Sequence, residues 1–332
     1  MVKTIAETAW HHDGDFDFMN NLVEELIHNS QGDFIKLHIT LDFDEYMLPD
    51  HPGYEFLKEK ALTEKQWETL IYKIKTSEKK LMLLFNDIKA IKFGMQFNPS
   101  LVEIHSVCLN DIHLLSALKE YNDKDIPVVL GVGGSTLYEI ENTVLFLETN
   151  NIVLMHGFQN YPTKYKDINF NRMRKIMNLY PTFKHGYADH TAWNDPNNNI
   201  ITVMGAAIGM DFIEKHVTTV PGAERTDWQS AMGIEQFNNL AKDLRTLDQC
   251  NGNGLIKLNE GERKYSVFGP NKKAAFLTKD LKKGDKLRKQ DIIFKRTGQL
   301  SNTSQIETWE LIGEKAIENF DKGALITKDK FA

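Results

Sequence analysis

The sequence has only two cysteines, Cys108 and Cys250, in 332 residues. Two thiols so far apart form neither a disulfide framework nor a thiolate metal cluster, and they suit a reducing compartment. No apolar run approaches the roughly eighteen residues needed to span a bilayer, and the acidic Glu7 interrupts the start before a signal-peptide core can form. With 9 prolines and 21 glycines the chain is neither collagen-like nor low in complexity. Basic residues are not in excess either: 40 Lys and Arg against 46 Asp and Glu leave a formal charge of −6. That balance excludes a polyanion held by counterion release. These absences predict a cytoplasmic protein with no nucleic-acid or membrane partner.

What remains is enough apolar material, 41% of residues, for a large α/β core. Short apolar runs alternate with segments of helical period up to about Cys250. The runs are Val2 to Glu7, Phe34 to Ile39, Lys80 to Leu84, Leu101 to Ile104, Pro127 to Val132, Ile152 to His156, His185 to Ala188 and Asp211 to His216. Helical segments include Phe16 to Asn29, Glu64 to Ser77, Asp111 to Tyr121, Leu137 to Glu148 and Ile234 to Leu247, whereas Phe85 to Met95 reads as a poor helix. Eight strand-helix units in about 250 residues predict a (β/α)₈ TIM barrel rather than an open doubly wound sheet.

The expected domains are a catalytic barrel over 1–250, a linker over 251–267 marked by Asn251-Gly252-Asn253-Gly254, and a small β-rich module over 268–332. Residues 266–332 carry 14 basic against 9 acidic side chains, so the two parts have opposite net charge. Within the module, Lys283-Gly284-Asp285-Lys286-Leu287-Arg288-Lys289 recurs loosely as Lys322-Gly323-Ala324-Leu325-Ile326-Thr327-Lys328. The repeat suggests a pseudo-symmetric pair of strand-turn-strand elements.

Barrel chemistry sits at the carboxyl ends of the strands. The polar residues there are Glu7, Lys36, His38, Ser106, the glycines after Leu130, His156, Asp189 with His190, and His216. Three histidines, His156, His190 and His216, end or follow three successive strands. Neutral imidazoles so placed can converge on one divalent cation, or each can be a hydrogen-bonded residue of the barrel rim. Gly131-Val132-Gly133-Gly134-Ser135-Thr136 closes the fifth run and opens a helix. Such a turn either holds an anion on free backbone N–H groups or simply permits a tight, capped helix start.

Several of these segments together resemble the N-acetylneuraminate (sialic acid) synthase family. The segments are Ile5-Ala6-Glu7 with His12-Asp13-Gly14-Asp15, Phe34-Ile35-Lys36, His156 with Tyr161-Pro162, Gly186-Tyr187-Ala188-Asp189-His190-Thr191, Ile213-Glu214-Lys215-His216-Val217-Thr218, Arg225-Thr226-Asp227-Trp228 and Phe294-Lys295-Arg296-Thr297-Gly298. The resemblance implies a TIM barrel followed by an antifreeze-like (SAF, β-clip) domain. It also implies a transferase that condenses phosphoenolpyruvate with an N-acetylated amino sugar of the N-acetylmannosamine kind, giving a nine-carbon 2-keto acid and phosphate. By the same resemblance His190 and His216 bind Mn²⁺ or Mg²⁺, Glu7 and Lys36 act with them in catalysis, and Ser106 lies near the phosphate. Gln159, Tyr161 and Asp227 meet the sugar, and Arg296 reaches it from the other subunit of a domain-swapped homodimer.

The chain departs from the family pattern mainly on the phosphate side. Glu103 stands where the family has a lysine, Gly131-Val132-Gly133-Gly134 replaces Ser-Thr-Gly-Met, Ala188 replaces a serine, Gly157-Phe158-Gln159 replaces Cys-Thr-Asn, and His38 replaces a glutamine. Two other readings therefore accompany the synthase: a metal-dependent pyruvate aldolase or lyase acting on a sugar, and a catalytically degenerate sugar-binding paralogue.

Overall fold

The computed structural model describes every residue except Gln159. The chain divides into two compact units, Met1–Gly252 and Asn253–Ala332. In the first, eight parallel strands follow one another in order: β1 (Lys3–Glu7), β2 (Phe34–Ile39), β3 (Lys80–Phe85), β4 (Leu101–Ile104), β5 (Val128–Gly131), β6 (Ile152–His156), β7 (Lys184–Ala188) and β8 (Phe212–Thr218). β1 also pairs with β8, in a register running from Lys3↔Phe212 to Glu7↔His216, so the sheet closes into a (β/α)₈ barrel. A two-residue strand, β9 (Met232–Gly233), extends β8 through Val217↔Met232.

The alternation of side chains along a strand divides each of these runs between lumen and helical shell. In β2, Ile35, Leu37 and Ile39 join the shell core, while Phe34 belongs to the lumen. The floor of the lumen is an apolar plug of Ile5, Phe34, Met82, Leu101, Val129, Val153 and Phe212. Two residues further along, the inward positions of β1, β2, β4 and β8 are Glu7, Lys36, Glu103 and Glu214, all lining a cavity above the plug. Polar chemistry is thus confined to the carboxyl end, on a dry apolar base.

Local chemistry explains the helices that span between strands. Phe16–Asn29 starts where the Asp15 carboxylate accepts from Phe18 N at 3.0 Å, and it buries Met19, Leu22, Val23 and Leu26, a stripe at helical spacing. The segment after β3, which by pattern alone reads as a poor helix, is helical over Ile88–Met95. Its cap is Asp87, which accepts from Ala90 N at 2.7 Å, and Ala90, Ile91, Gly94 and Met95 are buried. A good cap and a packed face outweigh a weak pattern there.

The second unit contains an antiparallel pair, β10 (Ala274–Leu277) with β11 (Ile292–Lys295), and bridges at Leu281↔Phe320, Lys286↔Lys315 and Ala316↔Phe331. Its core is Ala275, Leu277, Leu281, Leu287, Ala316, Phe320, Ile326 and Phe331. The internal repeat has a structural counterpart: Gly284 and Gly323 occupy equivalent turns at φ 88° and 85°, and each is followed by a 3₁₀ turn, Lys289–Asp291 and Lys328–Lys330. A side chain is strained at such φ, so both repeats keep glycine there.

Candidate active site

The cavity at the carboxyl end of the barrel has a volume of about 230 Å³. At its centre lies Lys36, 2% exposed, whose ammonium touches three carboxyl groups. The distances from Nζ are 2.5 Å to Glu7 Oε2, 2.8 Å to Glu103 Oε2 and 3.0 Å to Glu214 Oε1. The contact to Glu214 Oε1 is a hydrogen bond, and those to Glu7 and Glu103 are ion pairs. Burial by itself favours the neutral amine, but the charges of Glu103, Glu214 and Glu7 outweigh it and hold Lys36 well above the usual lysine range.

Three carboxyls around one cation cannot all be ionised at neutral pH without an uncompensated buried charge. Burial, with repulsion from Glu214 and Glu103, raises Glu7 well above the carboxylate range despite the attraction of Lys36. Burial pushes Glu103 up to about 7 against the pull of Lys36. Glu214 goes the other way: burial opposes its charge, yet Lys36 and a hydrogen bond with Glu7 hold it below its ordinary value. Of the three, Glu7 is thus pushed toward the protonated form and Glu214 toward the ionised one. His38 Nδ1 lies 4.0 Å from Glu7 Oε1, and Asn86 Nδ2 contacts its Nε2 at 2.8 Å.

On the β7–β8 side the His190 and His216 rings stand 4.9 Å apart at 85°, with the Tyr161 ring 5.0 Å from the first and 5.5 Å from the second. Burial lowers His190 to about 4 and keeps His216 well below the usual histidine range, so both are neutral imidazoles at physiological pH. Their placement has a structural support behind the sheet. Lys215 Nζ, fully buried, reaches Asp189 Oδ2 at 2.9 Å, and Thr202 Oγ1 donates to the same oxygen at 2.6 Å. This knot ties β8 to the end of β7 one residue away from each histidine. Ser230 Oγ, donating to His190 O at 2.7 Å, fixes the backbone from the other side.

The residues singled out from the sequence distribute unevenly. Glu7, Lys36, Ser106, Tyr161, His190, His216 and Asp227 all line the cavity. Asp227, in a left-handed backbone conformation at φ 63°, accepts from the backbone of Trp10, and burial pushes it up to about 6. Arg296 belongs to the second unit, where Nε and Nη2 donate to Pro270 O at 2.9 and 2.7 Å. Gln159 lies outside the described residues.

His156 does not join the other two strand-end histidines. Its Nε2 meets His185 Nδ1 at 3.3 Å in a stacked pair, because it falls on the opposite phase of its strand from the inward Met155. The glycine turn after β5 is a capped helix start: Thr136 accepts from Glu139 N, and the Glu139 carboxylate accepts from Thr136 N at 2.7 Å, placing an acid at the helix N-terminus where an anion would sit. Gly131 and Gly133 answer to close packing. A Cβ on Gly131 would lie 2.7 Å from Ser106 N, and one on Gly133 only 1.6 Å from Gly157 O.

Glu214, His105 and His11 were not among the residues picked from the sequence. Glu214 carried a usable signal, since it lies two positions before His216 and so shares its face of β8. His105, lowered to about 3 by burial, has its ring 5.7 Å from that of His38 at a tilt of 39°. His11 arrives on the loop after β1, its Nδ1 donating to Thr226 O at 2.6 Å and its ring 5.5 Å from His216.

Two imidazoles, each with a buried Nδ1 lacking a hydrogen-bond partner, beside an acid-rich cavity, are donors of the right kind for a divalent cation. Among the described residues no group of three or more His, Cys, Asp and Glu side chains is arranged to hold one.

Comparison with known proteins agrees with this architecture. An uncharacterized protein of Methanocaldococcus jannaschii is 27% identical over 299 residues, covering 89% of this chain and 85% of its own. The N,N'-diacetyllegionaminic acid synthase of Legionella pneumophila is 24% identical over 345 residues, with 97% and 92% covered. Among solved structures, the N-acetylneuraminic acid (sialic acid) synthetase of Leptospira borgpetersenii superposes with a TM-score of 0.71 at 20% identity, covering 79% of this chain and 89% of that one, which supports the shared fold. The NeuB family model matches residues 38–255, a span that includes Glu103, Glu214, both paired histidines and the knot behind them and begins after Glu7 and Lys36. The chain is an enzyme of the NeuB family.

Proposed function

We propose that this protein is a nonulosonic-type acid synthase, joining a three-carbon donor to the aldehyde carbon of an open-chain N-acetylated amino sugar to give a nine-carbon 2-keto acid. Phosphoenolpyruvate is the donor implied by the family resemblance. The observation that carries the reading is the convergence, at the mouth of one barrel, of the neutral His190–His216 pair with the Lys36–Glu7–Glu214 cluster. A divalent cation such as Mn²⁺ or Mg²⁺ held by the two imidazoles would supply Lewis-acid polarisation of the sugar aldehyde. The chain's own groups do the rest. Glu7, whose carboxyl burial pushes toward the protonated form, would give a proton to a developing alkoxide, and His38, 4.0 Å away, would return one. Tyr161 and Asp227 line the cavity and would serve the sugar's hydroxyl and amide groups.

The test is to incubate the protein with Mn²⁺, donor and a panel of N-acetylated hexosamines, and to follow 2-keto acid formation by mass spectrometry. Absence of any nine-carbon keto acid across the panel would defeat the proposal. His190→Ala and His216→Ala are each expected to weaken Mn²⁺ binding at least tenfold by calorimetry while leaving the far-UV spectrum native; unchanged titrations in both would remove them from the metal site.

The second unit enters through Arg296. We propose, from the family resemblance and the opposite charge of the two parts, a homodimer in which the Asn253–Ala332 unit of one subunit serves the barrel of its partner. Arg296→Ala should then raise KM for the sugar roughly tenfold, the scale of one charge-assisted hydrogen bond, with Mn²⁺ affinity unaltered. Mixing it with a His190→Ala barrel should restore up to a quarter of the activity in heterodimers. A mixture no more active than either parent would count against the exchange.

A further inference from the structure

Beside the catalytic cavity lies a second hollow of about 380 Å³, between the turn that follows β5 and the loop and helix that follow β6. The two share Gly157 and Phe158 as a common wall. At the buried end of the hollow is His156, 1% exposed, the strand-end histidine that stands apart from the other two. Its neighbour fixes which of its nitrogens carries the proton. His185 Nε2 faces Tyr180 O at 3.1 Å, and a carbonyl only accepts, so that nitrogen is protonated. Burial lowers both rings, His156 to about 3, so both are neutral and His185 Nδ1 holds a lone pair. It accepts from His156 Nε2 at 3.3 Å. The lone pair of His156 therefore falls on Nδ1, a buried atom without a hydrogen-bond partner among the described residues. A buried acceptor left bare is costly, and a donor seated in the hollow removes that cost.

The remaining lining decides what kind of donor fits. Asp167 is its acid and Arg172 its base, so among the described residues the hollow carries no net charge. Arg172 Nη2 donates to Ser135 O at 2.5 Å, which leaves Nε and Nη1 as donors. Asn169 Oδ1 accepts from Arg172 N at 3.1 Å, which leaves its amide N–H₂ as another. An anion is disfavoured, both by Asp167 and by the Glu139 carboxylate that accepts from Thr136 N at the helix start beside the rim. Phe158 and Met173 supply an apolar side. Donors and acceptors in balance around an apolar surface match a polyol, whose hydroxyls each donate and accept while its C–H groups pack against the wall. We infer that this hollow is a second carbohydrate site, which takes a neutral sugar of the hexose class with a hydroxyl donating to His156 Nδ1. The shared wall gives the site a consequence for the catalytic cavity. Gly133 packs so tightly that a Cβ on it would lie 1.6 Å from Gly157 O, so a sugar seated there braces the Gly157–Phe158 wall from behind.

Methionines report on the two places separately: Met173 lines the hollow, whereas Met47 and Met155 line the catalytic cavity. The full-length protein, labelled with ¹³C at its methionine methyls, is titrated by NMR with glucose, N-acetylmannosamine and, as the anion, inorganic phosphate. The Met173 methyl is expected to shift saturably with a sugar and to stay in place with phosphate. His156→Phe keeps a ring and removes the acceptor. It and Arg172→Gln should each weaken the Met173 response roughly tenfold, the scale of one hydrogen bond to a buried group, with the Met155 response and Mn²⁺ affinity unaltered. If His156→Phe does not fold, Arg172→Gln decides the matter. A Met173 methyl that is still at the highest sugar concentrations, that follows phosphate as closely as sugar, or that responds alike in wild type and variants overturns the inference. Keto acid formation is not read in this titration, so its failure leaves the proposed condensation standing.

Discussion

Replacing Lys36 by methionine will destabilise the protein by about 3–5 kcal/mol at pH 8 and abolish condensation, because the side chain is the counter-charge of three buried carboxyls. Methionine matches the length of the aliphatic stem, so the loss reads the charge rather than a cavity. With the ammonium gone, Glu214 loses its strongest stabilising neighbour and must be buried charged or take up a proton. The penalty should therefore shrink toward pH 5, where protonation removes the uncompensated charge. Combining Lys36→Met with Glu103→Gln should recover part of the stability and none of the activity, since one carboxyl then no longer needs a partner. Lys36→Arg should not rescue, as a planar guanidinium cannot reach three carboxyls that converge on one nitrogen. Urea unfolding at the two pH values measures all of this. A Lys36→Met protein as stable as wild type at pH 8 would mean that the carboxyls are neutral already and that the cluster has been misread.

Acidification is the second large effect. Burial lowers His11, His12 and His190 to about 4 and His105 and His156 to about 3, and it lowers His38, His185 and His216 as well. The unfolded chain binds protons on these rings below about 6.5, while the fold resists them, down to about 4 for His11, His12 and His190. Their contribution is complete above 6.5 and is lost as pH falls through that window. A smaller set works in the opposite sense. Glu7 is raised, Glu103 to about 7, and Asp87 and Asp227 to about 6, so these groups favour the fold at low pH and cease to do so as pH rises through 6 to 7. The eight lowered histidines outnumber the four raised acids, so the histidines prevail at pH 5. Against an ordinary stability of about 5–15 kcal/mol, the metal-free protein should unfold cooperatively between pH 6 and 4. His12→Asn, outside the cavity lining, should lower the number of protons taken up by about one and move the midpoint down. A native circular dichroism spectrum and an unchanged Tm at pH 4 would refute the account.

The sites of agreement and disagreement with the sequence follow one physical division. Strand runs and most helix limits were legible because apolar period and capping are local. The eight runs match the eight barrel strands to within a residue or two at each end, and Asp15 and Thr136 mark helix starts that any reading of caps finds. His190 and His216 were legible as strand-end histidines. His156 passed the same test and belongs elsewhere, since being last in a run does not say which phase of the alternation faces the lumen. Glu214 was missed although it sits on the inward face with His216. The reversed charge at Glu103 was visible in the letters, but not that its carboxylate would lie 2.8 Å from Lys36.

The amino-acid sequence by itself determined the barrel class, the strand-helix rhythm, the change of character near Gly252 and the kinds of residue available at the strand ends. These depend on interactions within one turn of helix or one pleat of strand. Only the tertiary structure decided that carboxyls from β1, β4 and β8 converge on one ammonium from β2, and that two of the three candidate histidines meet. Those encounters are set by the register at which β1 closes on β8, with Glu7 beside His216, and by how deep each side chain lies above the apolar plug. Registers and depths are sums over contacts between residues up to two hundred positions apart, and no local pattern encodes them.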